Sequence, residues 1–220
     1  MKYYYSYLRH PFTMVVAGPT GSGKTVFIKN LISKCKKVCK PSPKKIYYFY
    51  GEYQPLFKSM KGVKFIKGMD EEFISKIKSN IPQWLIIDDL MSDNLNNTLI
   101  SDLFTKISHH RNLSVIFLVQ NFFWKGKSSR DVSLNTQYIV LFKNVRDKMV
   151  IVYLSKQIYP GESFFLQKVY EDATSKPYKY LFFDLKTESD DNLRLLTNIL
   201  CEDPLYVYNK KNEDKKKIKN

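Results

Sequence analysis

Short apolar runs alternate with longer mixed segments along this chain of 220 residues. Each run is bounded by polar, glycine or proline residues, which is the pattern of strands that are buried in a sheet. On this basis we predict seven strands, at 12–17, 45–50, 63–66, 84–87, 113–119, 137–142 and 178–183.

Most of the intervening segments are predicted to be helices. The first runs from Thr25 to Lys37, with Pro41 and Pro43 beyond its end. Further helices are predicted at 71–79, 95–109, 146–157 and 161–171. Strands that alternate with helices predict an α/β fold, a parallel sheet with helices on both faces.

The segment after the first predicted strand has the composition of a phosphate-binding loop. Residues 18–25 read GPTGSGKT and match G-x-x-x-x-G-K-[ST]. Glycines let successive backbone N–H groups turn towards phosphate oxygens, and the following helix adds its positive N-terminus. Lys24 is predicted to hold the β- and γ-phosphates, and the Thr25 hydroxyl to ligate Mg²⁺. The predicted nucleotide-binding residues are Gly18, Pro19, Thr20, Gly21, Ser22, Gly23, Lys24, Thr25 and Val26.

An acidic pair follows another apolar run, at Asp88 and Asp89. A carboxylate at the C-terminal end of a neighbouring parallel strand lies where the ligand crevice of such a sheet forms. We therefore expect Asp88 to hold the hydration shell of Mg²⁺. Asp89 is the candidate general base that polarises the attacking water. The two motifs together predict binding of ATP, or less favourably GTP, with Mg²⁺.

Gln120 and Asn121 directly follow the apolar run 113–119. An amide there would lie beside the phosphate loop, so Gln120 is predicted to sense the γ-phosphate or orient water; the alternative is a pair that only caps the strand. Arg111 precedes the same run and can serve catalysis only in a neighbouring subunit. The alternative is a surface charge at a helix end. Arg130 and Arg146 are rival candidates.

The amino-acid composition indicates which kind of partner the protein binds. The net charge of +15 favours a polyanion, with nucleic acid first and an anionic membrane second. Six lysines (210, 211, 215, 216, 217 and 219) lie near the C-terminus. No apolar run reaches the length of a membrane span, and the N-terminus lacks an apolar leader. The chain has three cysteines, an odd number that suits a reducing compartment. An intracellular protein is therefore expected.

Four segments carry a resemblance to a known group of proteins. They are the phosphate loop with its flanking strand and helix, IIDDLM at 86–91, SHHRNLSVIFLVQN at 108–121 and LFKNVRDK at 141–148. Over about residues 10–185 the chain resembles the DNA-packaging ATPases of the FtsK–HerA superfamily. It is most similar to the branch of Polinton/Maverick elements and small double-stranded DNA viruses, with the poxvirus and adenovirus packaging ATPases more distant.

The resemblance implies a RecA-like P-loop NTPase fold with an additional strand in its parallel sheet, and an ATP hydrolase that translocates double-stranded DNA. It also implies a ring homo-oligomer, a pentamer or hexamer, that binds capsid or portal vertex proteins in the infected cell or virion. Carried over by position, Lys24, Asp89, Gln120 and Arg111 are catalytic. Many members have Glu where this chain has Asp89, which is one methylene shorter.

The predicted domains are a P-loop ATPase domain at 1–187, a C-terminal extension at 188–208 that packs on or beside it, and a basic, disordered tail at 209–220. The aromatic and basic segment 122–130 is predicted to grip DNA through Lys125, Lys127 and Arg130, or else to be an interface loop with buried aromatics. Two alternatives remain: a cellular translocase or helicase of the same superfamily, and a small-molecule kinase. A kinase usually has an arginine-rich lid, whereas the chain has four arginines after the loop: Arg111, Arg130, Arg146 and Arg194.

Overall fold

The computed structural model describes residues 8–78, 80–88, 90, 94–124, 127–200, 205–209 and 212–218. Within these residues, ten strands form a central sheet and two short ones, β1 and β3, form a small second sheet. The strands are β1 Leu8–Arg9, β2 Thr13–Ala17, β3 Cys39–Lys40, β4 Lys45–Tyr50, β5 Val63–Lys67, β6 Gln83–Asp88, β7 Leu113–Val119, β8 Tyr138–Phe142, β9 Tyr180–Asp184, β10 Leu195–Thr197, β11 Leu205–Asn209 and β12 Asn212–Ile218.

Helices connect most of the parallel strands. They are α1 Lys24–Ser33, α2 Cys35–Val38, α3 Glu71–Ser75, α4 Asn94–Asp102, α5 Ser108–His110, α6 Lys127–Asn135, α7 Met149–Ile158 and α8 Ser163–Ala173. A π-helical segment, Leu103–Ile107, joins α4 to α5, and Pro55–Ser59 and Asp191–Leu193 are short 3-10 helices. Within the described residues, every helix is too short or too polar to cross a membrane.

The order of strands in the central sheet confirms the predicted α/β fold. From one edge to the other the order is β12-β11-β10-β9-β8-β2-β7-β6-β4-β5. The six strands from β8 to β5 in this order are parallel. β7 lies between β2, which precedes the phosphate loop, and β6, which ends in Asp88. β7 is therefore the additional strand of the predicted fold.

The prediction of a parallel sheet does not extend to the other four strands. β9 is antiparallel to β8, with Tyr180 opposite Phe142, and β10, β11 and β12 continue the antiparallel order. Between β8 and β9 the chain forms two helices, α7 and α8, which pack on each other. An even number of helices returns the chain to the edge where β8 ended, so β9 must run in the opposite direction.

The extension at 188–208, predicted to pack on or beside the ATPase domain, continues the central sheet through β10 and β11. The tail that follows differs from the sequence prediction. Residues 212–218, which were expected to belong to a disordered tail, form β12, with Lys217 opposite Tyr206. The free edge of β11 supplies backbone partners whatever the side chains are, and lysines are common in strands at the edge of a sheet.

Both faces of the sheet are buried, as the continuous apolar runs predict. Consecutive residues of a strand point to opposite faces: Val15 belongs to one hydrophobic cluster, and Met14 and Val16 to the other. Leu154 of α7 packs in the first cluster and Ile28 of α1 in the second. The first predicted helix, 25–37, is in fact two helices, since the chain leaves the helical conformation between α1 and α2.

Candidate nucleotide-binding site

The loop after β2 has a conformation that requires its glycines. The Gly18 N–H donates to the Val119 carbonyl at 3.1 Å. A Cβ on Gly18 would lie 2.7 Å from Ser22 Oγ and from the Phe142 Cβ, so no side chain fits there. Gly21 and Gly23 have φ values of 77° and 105°, which only glycine adopts without strain. The loop is thereby held tightly between β7 and β8.

Lys24 folds back over this loop from the first turn of α1. Its Nζ donates to the Gly18 carbonyl at 2.6 Å and to the Pro19 carbonyl at 3.1 Å. The adjacent Ser22 Oγ is buried and has no hydrogen-bond partner among the described residues. A phosphate bound in the loop would offer Lys24 an anionic acceptor in place of these carbonyls.

Asp88 ends β6 and is almost fully buried, with 7% of its surface exposed. The Tyr48 hydroxyl of β4 donates to Asp88 Oδ2 at 2.6 Å. Burial raises the pKa of Tyr48, and the adjacent Asp88 charge raises it further. Tyr48 therefore stays protonated and remains a donor, which fixes the orientation of the carboxylate. Asp89 lies outside the described residues.

One cavity of about 430 Å³ brings the separate motifs together. Lys24, Thr25, Asp88 and Gln120 all line it. Five further lining residues were not among the predicted site residues: Leu118 and Val119 at the end of β7, and Gln54, Leu56 and Tyr178. The last three carry no motif and lie far from the phosphate loop in sequence, and only the order of the strands brings them to it.

The oxygen donors of the cavity suit Mg²⁺ bound together with a nucleotide. Mg²⁺ usually takes one or two protein oxygens and completes its octahedral shell with phosphates and water. The Thr25 hydroxyl and the Asp88 carboxylate are such oxygens. In the described part of the chain no three His, Cys, Asp or Glu side chains cluster to hold a metal by themselves. One hydroxyl and one carboxylate suit an ion that takes its remaining ligands from the nucleotide and from water.

Gln120 and Asn121 lie at the cavity end of β7, where the sequence places them. Gln120 lines the cavity and its side chain is exposed. Asn121 Nδ2 donates to Asp147 Oδ2 at 2.7 Å, and the Asn144 side chain accepts from the Arg146 and Asp147 N–H groups at 3.1 Å. The end of β7 is thereby tied to the loop that leads into α7.

Arg111 lies at the opposite end of β7, as expected, but within its own chain it contacts α3. Its Nη1 donates to the Ile74 carbonyl at 2.7 Å and to the Ser75 carbonyl at 2.9 Å. These are carbonyls at the C-terminal end of α3, where a cation is stabilising. Arg146 is exposed on the loop after β8, and Arg130 is exposed on α6. A role for any of the three in a neighbouring subunit stays a prediction.

The segment expected to grip DNA is only partly a loop. Phe122 is buried, and Trp124 packs against Phe117 with the ring centroids 5.6 Å apart. These aromatics thus pack against their own chain. From Lys127 onwards the segment forms α6, which sequence analysis did not predict because the run KSSRDVSLN is mostly polar. Lys125 lies outside the described residues, and the structure does not describe the side chain of Lys127.

A family comparison identifies the chain. The model of the family described as Poxvirus A32 protein matches residues 2–169. The chain belongs to this family. The match confirms the relationship to the poxvirus proteins that the sequence motifs indicated, whereas the position nearer to the Polinton/Maverick branch stays a prediction.

Curated relatives of this A32 family member carry the name DNA packaging protein OPG160. The proteins of Variola virus and of Vaccinia virus (strain Copenhagen) are each 30% identical over 135 residues, which covers 52% of this chain and 48% of the relative. The Monkeypox virus protein has the same identity, with 43% of its length covered. The chain thus spans about half the length of the curated relatives it matches.

Solved structures agree on the fold of this family member. The genome packaging NTPase B204 of Sulfolobus turreted icosahedral virus 2, in complex with ATP-gammaS, has a TM-score of 0.50 at 17% identity and covers 81% of this chain and 94% of its own. The cytoplasmic domain of the type VII secretion ATPase EccC of Thermomonospora curvata has a TM-score of 0.53 at 13% identity. The match covers 80% of this chain and 24% of the EccC chain. The fold is that of a P-loop NTPase.

Proposed function

We propose that this chain is the ATP-hydrolysing subunit of a viral motor that translocates double-stranded DNA into a capsid. The observation that carries the proposal is the single cavity lined by Lys24, Thr25, Asp88 and Gln120, with β7 between the two motif strands. Membership of the A32 family, whose relatives are named DNA packaging proteins, supports the choice of DNA as the partner.

The residues of the two motifs and Gln120 each have a distinct task in this proposal. Lys24 exchanges its loop carbonyls for the β- and γ-phosphates, and Thr25 and Asp88 are the residues that would hold Mg²⁺. Mg²⁺ neutralises phosphate charge when it is bound. Gln120 orients the attacking water or senses the γ-phosphate, and Asp89 accepts the proton of that water.

The motor acts as a ring of identical subunits, a pentamer or hexamer, docked on capsid or portal vertex proteins in the infected cell. In such a ring an arginine of the next subunit completes the site, and Arg111, Arg130 and Arg146 are the candidates. The net charge of +15 supports binding to DNA, because contacts between lysine or arginine and phosphates are independent of sequence and suit a motor that moves any genome.

Hydrolysis of ATP by the purified protein, with and without linear duplex DNA, tests this function. We expect duplex DNA to stimulate hydrolysis and Lys24→Ala to lower it by roughly 100-fold or more, since a group that stabilises the developing charge is lost. Hydrolysis that ignores DNA but is accelerated by a small phosphate acceptor would point to a kinase instead.

A further inference from the structure

Tyr178 lies at the mouth of the cavity although it belongs to no motif. It precedes β9 by two residues, and the pairing of Tyr180 with Phe142 places the start of β9 at the edge where β8 ends. The Tyr178 ring rests on the phosphate loop. A Cβ built on Gly23 would lie 3.3 Å from Tyr178 Cδ1 and 3.5 Å from the Tyr178 Cβ.

The Tyr178 side chain is not part of the hydrophobic core. It is 72% exposed, the highest value among the large apolar side chains in the described residues. Its backbone has φ +61°, a left-handed conformation that is unfavourable for a bulky residue. The following residue anchors the turn, because the Lys179 N–H donates to the Lys176 carbonyl and Lys179 Nζ to Asn198 Oδ1. The fold thus holds an exposed ring in a strained position beside the loop.

The order of the strands gives the cavity two distinct ends. Asp88 ends β6 and Gln120 directly follows β7, and both strands lie on one side of the P-loop strand β2. Tyr178 precedes β9, on the other side of β2. A nucleotide whose γ-phosphate and Mg²⁺ lie towards Asp88 must therefore extend its ribose and base towards Tyr178. Val26, half-exposed in the first turn of α1, adds apolar surface to the same cavity.

We propose that Tyr178 is the platform on which the base of the bound nucleotide stacks. The inference rests on the proposed function of the cavity and adds the recognition of the base to it. An aromatic ring stacks on any nucleobase without reading its edge, and the larger surface of a purine gains more from the contact. The site is thus selective for purine over pyrimidine triphosphates, while the loop itself binds the triphosphate.

Calorimetric titration with Mg²⁺-ATP and, separately, with Mg²⁺-tripolyphosphate separates the two contributions. We expect Tyr178→Ala to weaken ATP binding about ten-fold, within the range found for base–aromatic stacking, and to leave tripolyphosphate binding unchanged. Tyr178→Phe keeps the ring and should bind ATP like the wild type. Phe164→Ala, which removes a similarly exposed ring (66%) from α8, is the matched control and should alter neither affinity.

Equal ATP affinity of the wild type and Tyr178→Ala would overturn the stacking proposal and leave the proposed function intact. Loss of tripolyphosphate binding together with ATP binding in Tyr178→Ala would also overturn it, because the ring would then only support the loop. If the wild type bound neither ligand, the nucleotide site itself would be refuted.

Discussion

Tyr48 reaches the nucleotide site from the strand beside Asp88, and its hydroxyl fixes the carboxylate through a 2.6 Å hydrogen bond. Partners of this kind, which orient a metal ligand without touching the metal, typically contribute 10- to 100-fold to metal affinity or activity. The sequence predicted a strand at KIYYFY but could not show which of its tyrosines faces Asp88. That assignment depends on the register of β4 against β6, which local sequence does not determine.

Replacement of Tyr48 by Phe should weaken the binding of Mg²⁺ in the presence of ATP by about ten-fold, because Asp88 loses the donor that orients it. A titration of hydrolysis against Mg²⁺ concentration measures this. Tyr138→Phe is the matched control, since it also removes a buried hydroxyl that is hydrogen-bonded, here to the Arg9 N–H, but at a distance from the site. Identical Mg²⁺ requirements of the two variants would contradict the role of Tyr48.

Among the secondary-structure elements, β7 is flanked by two residues that the sequence singles out, one at each end. At one end Gln120 lines the cavity, and at the other Arg111 holds the C-terminal carbonyls of α3. The sequence located β7 well because its apolar run is continuous and bounded by polar residues. It could not show the contact with α3, because a hydrogen bond to a backbone carbonyl leaves no pattern in the side chains of the acceptor.

Arg111→Ala distinguishes the observed contact of this arginine with α3 from its proposed role in a neighbouring subunit. We expect unchanged ATP affinity, since Arg111 lies far from its own cavity, and a lower melting temperature, because α3 loses its cationic partner. If Arg111 completes the site of a neighbouring subunit, DNA-stimulated turnover in the assembled state falls by roughly 1,000-fold. Normal turnover there would mean that Arg111 only anchors α3, and Arg146→Ala would be the next variant.

The limits of sequence analysis are clearest at β9 and α6. The run that became β9 was recognised, but its direction depends on the pair of helices before it. The α6 segment is mostly polar, so it lacks the apolar periodicity that indicates a helix. The phosphate loop is predictable from sequence because its backbone geometry requires particular residues. Tyr178 is not predictable, because a stacking platform requires only an aromatic ring in the right place.

At the scale of the whole molecule, the charge of +15 and the addition of β9–β12 to the parallel sheet set this chain apart from a minimal nucleotide-binding domain. Lysines 215, 216 and 217 belong to β12, at the edge of the sheet. A lysine-rich sequence in an edge strand disfavours pairing with other strands, and its positive charge favours a polyanion such as the DNA of the proposed function.

Changing the six C-terminal lysines (210, 211, 215, 216, 217 and 219) to Gln should reduce the salt dependence of duplex DNA binding. The slope of log affinity against log salt should fall by about 0.9 for each lysine that contacts a phosphate. Fluorescence anisotropy with labelled duplex at several salt concentrations measures the slope. ATP affinity should not change, and an unaltered slope would show that these lysines do not touch DNA.

Movement along duplex DNA is the central claim, and displacement of a third strand from a triplex measures it most directly. With Mg²⁺-ATP, the assembled protein should displace the third strand after a lag that grows with the length of the duplex in front of it, and Lys24→Ala should displace none. The account would be contradicted if duplex DNA stimulated hydrolysis of ATP but the protein displaced no third strand at any duplex length.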